Sequence, residues 1–443
     1  AAFAGLRAFA AKADSRPRLV ILGTGWGSFR VLNDLDTEKY NVSVVSPRNH
    51  LLFTPMLASS ALGTVNQRSI CQPVRPLCAK KKAAYYESRV SKIDKENKAV
   101  VCKAHTGHVY SIPYDKLVVG VGFQPNDFGI PGVKEHSLFM KETADATVFK
   151  DHVLRKLEEA AYWHALDGDL ALSPEEEAKM REILTFVIVG GGPTGVELCG
   201  ELTDFLIYEG HKLYPALRKY ITVHMLTYDL LNTFDIELQE HALKHLKGKQ
   251  AVHVHLNTFV TRVEKDQVFL KEEGKEYSIK HGTLVWCAGI KPHQFIQDFE
   301  FPMNERGTQI LVDRKLNVKG FDDIYALGDC STIEDYWLPQ TAQVANQQGQ
   351  YLAKRLNGKT DANFGFASKG MLAYIGGYSA LMSKLPTPFV DRMTGFVAFL
   401  GWRFTYWFLQ LSMRNRFMLS TDWLRTLIFG RDLTRFGNPS RPT

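Results

Sequence analysis

Apolar residues in this chain fall into short unbroken runs. Residues 18–22 read Arg-Leu-Val-Ile-Leu, 42–45 Val-Ser-Val-Val, 184–189 Leu-Thr-Phe-Val-Ile-Val and 221–226 Ile-Thr-Val-His-Met-Leu. Such runs, rich in β-branched residues, predict strands buried on both faces of a parallel sheet. A helical pattern follows the first run through Leu35, and another opens at Val196-Glu197-Leu198 after the third. The order strand, helix, strand therefore occurs twice, 167 residues apart. Two more runs, 116–122 and 283–289, end in small residues and precede Pro125 and Pro292; each predicts a strand followed by a chain crossover. A last strand, 323–329, ends in Gly-Asp. The expected class is α/β, with two Rossmann-like doubly wound domains. The charged stretch 151–184, with Glu175, Glu176 and Glu177, predicts a solvated helical connector.

The turns between these strands and helices carry the chemistry. After the first strand comes Gly23-Thr24-Gly25-Trp26-Gly27-Ser28, and after the third Gly190-Gly191-Gly192-Pro193-Thr194-Gly195. In a nucleotide-binding turn the first glycine permits the tight bend. The second lets the backbone approach a pyrophosphate, whose charge then sits at the positive helix N-terminus. A lone glycine fingerprint is weak, but two in this context are specific. Ser28 stands at the third glycine position and is small enough for close helix–strand packing. The second strand of the first unit ends Ser46-Pro47-Arg48-Asn49, without an acid to hold a ribose, which argues against a simple NAD site there. Asp329, at the end of a strand, can accept a hydrogen bond from a flavin ribityl hydroxyl.

Length and composition narrow the reading. The chain of 443 residues is long enough for two or three domains, and 45% hydrophobic with 23% charged residues is the balance of a folded protein. The six cysteines form no C-x-x-C pair and have no zinc-like spacing, which predicts free, mostly buried thiols and argues against a disulfide reductase. No EF-hand loop occurs, and no metal site is expected. Residues 1–13 are Ala-rich, contain Arg7 and Lys12 and no acid; they suggest the remnant of an organelle transit peptide, or else a disordered or cut end.

The net charge of +7 is unevenly placed: from Arg403 to Thr443 there are seven Arg and two Asp, with no Lys or Glu. No run of eighteen apolar residues exists to span a bilayer. Residues 396–411 are apolar and aromatic but interrupted by Arg403, and Trp423, Leu424, Leu427, Ile428 and Phe429 then alternate with Arg425 and Arg431. Aromatics with Arg and few acids suit helices lying in a membrane interface. A helical pair packed on the protein's own core or on a dimer partner is the plainer alternative. No nucleic-acid partner is expected.

Several longer segments carry a family resemblance: GTGWGS at 23–28, SPRNHLLFTPML at 46–57, NDFGIPGV at 126–133, GGGPTGVELCGEL at 190–202, TAQVANQQGQYLAK at 341–354, and the run from Trp402 to Gly437. The chain resembles the type II (alternative) NADH:quinone oxidoreductases of mitochondria over residues 17–437. The resemblance implies an FAD-dependent, non-proton-pumping enzyme of the respiratory chain, peripheral on the mitochondrial inner membrane, passing hydride from NADH to FAD and then electrons to ubiquinone. It implies that Gly23, Thr24, Gly25, Trp26, Gly27, Ser46, Arg48, Thr54, Gly122, Gly328, Asp329 and Gln343 hold FAD. Gly191, Gly192, Thr194, Gly195, Glu197, Ala288 and Gly289 would serve the nicotinamide nucleotide. Glu197, Gln343 and Asn346 would serve the reaction, Gln343 between flavin and quinone. The implied domains are 17–150 with 291–368 for FAD, an inserted 151–290 for NAD(P)H, and a membrane-anchoring 369–443, after an arm at 1–16. Association as a homodimer or on a respiratory complex stays open.

This sequence departs from that pattern at Thr227, where the family carries an acid that accepts hydrogen bonds from the adenosine ribose and repels a 2′-phosphate. A hydrogen bond to a charged group contributes roughly 1.5–3 kcal/mol, so its loss weakens NADH about 10–150-fold. The stretch to Asn232-Thr233-Phe234 also looks shortened, and Asn346 replaces a His of fungal members. These departures leave a second reading open, a catalytically silent FAD-containing subunit docked on a respiratory complex.

Overall fold

The computed structural model describes residues 15–166, 172–383 and 392–435. The expected transit-peptide remnant, Ser15 and Arg16 apart, and the last residues of the C-terminal run lie outside them. The chain gathers into two compact units. The first takes in residues up to Leu51, Pro73–Phe123 and Pro292–Ala367; the second takes in Leu52–Gln72, Gln124–Lys291 and the chain from Ser368 on.

The first unit is built on a seven-stranded sheet in the order Ile324–Ala326, Lys116–Val119, Arg18–Leu22, Asn41–Ser46, Ala84–Asp94, Ala99–Ala104, Val109–Pro113. Its first five strands are parallel and its last pairings antiparallel. Leu19, Val20, Ile21 and Leu22 are all buried, as a strand covered on both faces requires. The chain crosses from Arg18–Leu22 to neighbours on opposite sides, so the crevice beyond its C-terminal end is the switch point where such sheets bind ligands. Helix Trp26–Asp34 starts there and lies against helix Ala342–Leu356. Glycines permit this crossing: a Cβ on Gly349 would lie 2.4 Å from the Gly27 carbonyl oxygen.

The second unit holds a five-stranded parallel sheet in the order Leu138–Phe139, Thr283–Trp286, Thr185–Val189, Thr222–Leu226, Val252–His255. An antiparallel meander, Thr258–Val263, Gln267–Glu272 and Lys275–Lys280, follows the last of these strands in the chain. The segments after the two predicted crossover strands pair with each other, Gln124–Pro125 against Ile290–Lys291. The stretch expected as a solvated connector is helical in two pieces, Thr143–Leu166 and Pro174–Ile183, the second opened by a capping box of Ser173 and Glu176. The first piece is more than a connector, because Phe149, Val153, Leu157 and Ala160 form a fully buried stripe along it.

From Met371 a second antiparallel sheet, Met371–Gly376, Ser379–Ser383 and Arg392–Thr394, leads into helices Gly395–Phe408 and Met413–Phe429. Helix Gly395–Phe408 buries Phe399, Trp402 and Tyr406 and exposes Phe396, Val397, Leu400, Phe404 and Phe408. Arg403 does not break its apolar character, since the guanidinium lies 4.6 Å from the Phe399 ring and 5.0 Å from Trp423. Helix Met413–Phe429 has the reverse of the usual amphipathy. Its inward face carries Asn415, Leu419 and Asp422, while Phe417, Leu424, Leu427, Ile428 and Phe429 face solvent. Asn415, Asp422 and Thr426 all have partners in the segment 64–71. Asp422 accepts from the Asn66 amide (2.7 Å) and the Ser69 hydroxyl (2.6 Å), Asn415 donates to the Cys71 carbonyl, and Thr426 donates to the Thr64 carbonyl. Among the described residues no helix is long and apolar enough to cross a membrane.

Candidate functional site

The first glycine turn is fixed by sterics. Gly23 has φ +93°, and a Cβ there would sit 2.4 Å from the Gly120 carbonyl oxygen, so only glycine fits. Ser28 is held by the same neighbour: its hydroxyl donates to the Leu22 carbonyl (2.9 Å), and a Cβ on Gly120 would strike that hydroxyl at 2.1 Å. The third-glycine departure is thus accommodated by a glycine just past the end of the adjoining strand. Gly25, by contrast, is open. It caps helix Trp26–Asp34 with no side-chain hydrogen bond to the first amides, and a Cβ there would meet only Arg48 Nη2, at 3.9 Å. At the end of the next strand the buried Thr24 and Ser46 hydroxyls lie 3.1 Å apart. Thr24 donates to the Arg48 carbonyl, and the Arg48 amide donates to Ser46.

The Gly-Asp turn belongs to the same unit. Gly328 has φ +74°, and its amide donates to the side-chain oxygen of buried Gln348 at 2.7 Å. The Asp329 carbonyl accepts from the Gln340 and Gln309 side chains. Gly122 has φ +70° and nothing within 4 Å of a would-be Cβ. Gln343 and Asn346 are half-buried in the first turns of helix Ala342–Leu356, whose cap is Thr341. Gln348, which sequence reasoning missed, shares that helix's buried face with Ala345 and Gly349; its position there was the available signal. Trp26 is half-buried, and Thr54 opens the turn Thr54–Met56 in the second unit.

The second glycine turn repeats this plan. Gly190 has φ +115°, and its amide donates to the Leu226 carbonyl. A Cβ on Gly190 would lie 2.9 Å from the Ala288 nitrogen, and one on Gly195 would lie 2.0 Å from the Gly190 carbonyl oxygen. Gly192 caps helix Pro193–Asp204 without a side-chain cap and has nothing within 4 Å of a would-be Cβ. Thr194 is exposed beside it, and Gly289 takes φ +69°. Both glycine turns therefore end in open backbone and helix amides without side-chain caps, the geometry a pyrophosphate fits.

Behind the second turn, three carboxylates on one helix are buried: Glu197, Glu201 and Asp204. The Glu197 carboxyl is pushed up to about 8 by burial; the Tyr374 amide and Trp402 indole oppose this, and the charge of Glu201 adds to it. At neutral pH it is therefore mainly a protonated acid. Glu201 accepts from Ser59 (2.6 Å) and Thr64 (2.8 Å) and pairs with Arg431 at 3.0 Å. Asp204 accepts from the Tyr374 hydroxyl and the Gly377 amide and pairs with Lys249 at 3.2 Å. All six cysteines are free. Burial pushes the Cys287 thiol up to about 12 and Cys330 up to about 11, so neither is a ready thiolate.

Residues 17–349 match the model of the pyridine nucleotide-disulphide oxidoreductases. The chain belongs to that family. Residues 368–432 match the NDH2 C-terminal domain, which places it in the branch carrying that domain. It is 37% identical to a probable NADH dehydrogenase of Dictyostelium discoideum, over 96% of this chain and 92% of the relative. It is 35% identical to the internal alternative NAD(P)H-ubiquinone oxidoreductase A1 of Solanum tuberosum mitochondria, over 96% and 89%. The solved structure of NDH2 from Plasmodium falciparum in complex with NADH superposes with a TM-score of 0.87 at 24% identity, covering 95% of this chain and all of that one. The resemblance and the Rossmann-like fold read from the sequence are borne out. This member carries both glycine turns, and its six cysteines form no C-x-x-C pair.

The departure at Thr227 has a clear geometry in this family member. Thr227 is buried, and its hydroxyl donates to the Asp229 carbonyl at 2.6 Å. That carbonyl lies 2.2 Å from where a Gly191 Cβ would be, and the Leu231 amide donates to the Gly191 carbonyl. The loop thus closes tightly over the glycine turn. The Asp229 side chain is exposed and accepts from Asn232.

Proposed function

We propose that this chain is an FAD-dependent NADH:ubiquinone oxidoreductase that pumps no protons and works peripherally at the mitochondrial inner membrane. The observation that carries the proposal is the pair of glycine turns, each ending in open backbone and a helix start free of side-chain caps, in a chain matching enzyme relatives along nearly their full lengths. Bound FAD supplies two-electron chemistry, accepting hydride from NADH and returning electrons to quinone. Gly23, Thr24, Gly25, Ser46, Arg48, Gly328 and Asp329 would hold it, with the anionic pyrophosphate at the start of helix Trp26–Asp34. Residues 17–150 with 291–368 would then serve FAD, 151–290 the nicotinamide nucleotide, and 369–443 the membrane.

Glu197 holds its proton at neutral pH beside the Tyr374 amide and the Trp402 indole, so it can position a polar group without adding a buried negative charge. Gln343 and Asn346 supply neutral hydrogen-bonding amides; Asn346 can hold a quinone oxygen but cannot deliver a proton as an acid. The outward apolar faces of the two C-terminal helices fit insertion into a lipid interface, where a quinone dissolves. No observation favours the silent-subunit reading. Anaerobic stopped-flow mixing with NADH and with NADPH should bleach the flavin absorbance, and ubiquinone should restore it. A flavin that neither nucleotide bleaches overturns the proposal. Homodimer formation or docking on a respiratory complex is a separate reading, decided by sedimentation of the membrane-extracted protein.

A further inference from the structure

Tyr228 and Phe259 are exposed aromatic residues that the core does not use. Each leaves more than half of its accessible area to solvent (58% and 56%), yet their rings pair at 5.1 Å between centroids. Their place in the fold is specific. Tyr228 follows the C-terminal end of strand Thr222–Leu226, and Phe259 is the second residue of strand Thr258–Val263, which the chain enters after strand Val252–His255. These strands are parallel neighbours, with Leu226 opposite His255. Three backbone hydrogen bonds join the segments that leave them: the Thr227 amide to the His255 carbonyl, the Asn257 amide to the Tyr228 carbonyl and the Thr258 amide to the Thr227 carbonyl. Tyr228 also sits between Thr227 and Asp229, the pair that packs against Gly191. The two rings thus stand beside the second glycine turn, over the carboxyl ends of the strands, where doubly wound sheets bind the adenosine end of a dinucleotide.

We propose that Tyr228 and Phe259 form a stacking platform for the adenine ring of the nicotinamide nucleotide, replacing the affinity that the ribose-binding acid supplies elsewhere. The inference rests on the nucleotide-site reading above. An aromatic face binds a base through dispersion and π-stacking and does not sense the ribose 2′ substituent. The platform therefore recovers affinity without recovering discrimination, and NADH and NADPH share it equally.

The test uses the full-length holoenzyme and the variants Tyr228→Ala, Phe259→Ala and the double variant. Both side chains are surface residues, so unchanged melting temperatures are expected and confirm folding. Loss of one stacked base contact weakens binding on the order of 5- to 150-fold. ADP-ribose, followed by titration calorimetry, should bind the double variant at least fivefold more weakly than the parent protein. The KM values for NADH and NADPH should rise in parallel, whereas that for reduced nicotinamide mononucleotide, which has no adenine, should not move. Unchanged ADP-ribose affinity overturns the platform, and so does an equal rise in KM for the mononucleotide. The calorimetric arm needs no turnover, so a parent protein whose flavin is not reduced would refute the oxidoreductase reading while still testing the platform.

Discussion

Replacing Arg431 with methionine removes one side of the most enclosed ion pair in the second unit. The Arg431 side chain is 8% exposed and that of Glu201 3%; they meet at 3.0 Å, and the same guanidinium reaches Glu209 at 3.4 Å and the Glu201 carbonyl at 3.1 Å. A buried pair broken on one side typically costs about 3–5 kcal/mol, because the remaining charge stays desolvated. Here Glu201 would keep the Ser59 and Thr64 hydroxyls, which places the expected loss near the lower end, about 3 kcal/mol. For a unit of this size that is a fall of roughly 6–12 °C in melting temperature. Removing the Glu201 charge as well, as Glu201→Gln with Arg431→Met, should recover part of the loss, since only the partly exposed Glu209 then lacks its cation. Urea unfolding followed by tryptophan fluorescence reports mainly on the second unit, which holds five of the seven tryptophans (Trp163, Trp286, Trp402, Trp407 and Trp423). The reasoning is refuted if Arg431→Met costs less than about 1 kcal/mol, or if the double variant is no more stable than the single.

The remaining predictions concern the glycine turns and the buried acid. Gly25→Ala should leave the melting temperature of the flavin-free protein unchanged while lowering flavin content, because its φ of −74° suits alanine and its Cβ meets no protein atom closely. Gly23→Ala should destabilise the fold itself, through a positive φ and a 2.4 Å clash; equal melting temperatures for the two variants would count against this distinction. Glu197 is raised in the folded state from 4.5 to about 8, so stability should fall as pH rises across that window, where the unfolded chain has lost its proton and the native state still keeps it. Glu197→Gln should lack this component, its melting temperature gaining on the parent from pH 5 to 8 and holding a constant lead above; parallel profiles would show that Glu197 titrates normally.

The parts of the structure that were readable in the sequence are those set by local rules. Strand Arg18–Leu22 begins and ends where its apolar run does, and Thr185–Val189 differs from its run by one residue. Glycine turns announce themselves because positive φ and close backbone approach leave no other residue type. The buried carboxylates were not readable in the same way. Glu197, Glu201 and Asp204 have the spacing of one helix face, but the groups that enclose that face, Tyr374, Lys249 and Arg431, arrive from far along the chain. Ser28 departs from the third glycine, and its compensation, the missing Cβ of Gly120, lies just past a strand 92 residues away. The C-terminal helices were read correctly as apolar and basic, but the pattern did not reveal which face of Met413–Phe429 turns inward.

That orientation limits how the chain can be shortened. Asp422, Asn415 and Thr426 complete the hydrogen bonding of residues 64–71, so the helix that offers Leu427 and Phe429 outward is also a structural wedge for the unit beneath it. Truncation before Ser412, an obvious route to a better-behaved soluble form, would strip partners from the Asn66 amide and the Ser69 hydroxyl. Polar replacements at Phe417, Leu427 and Phe429 would instead reduce greasiness on the outside and leave the wedge in place. The outward apolar side and the inward hydrogen-bonded side of this one element are thus separable, and only the outward one can be altered without disturbing residues 64–71.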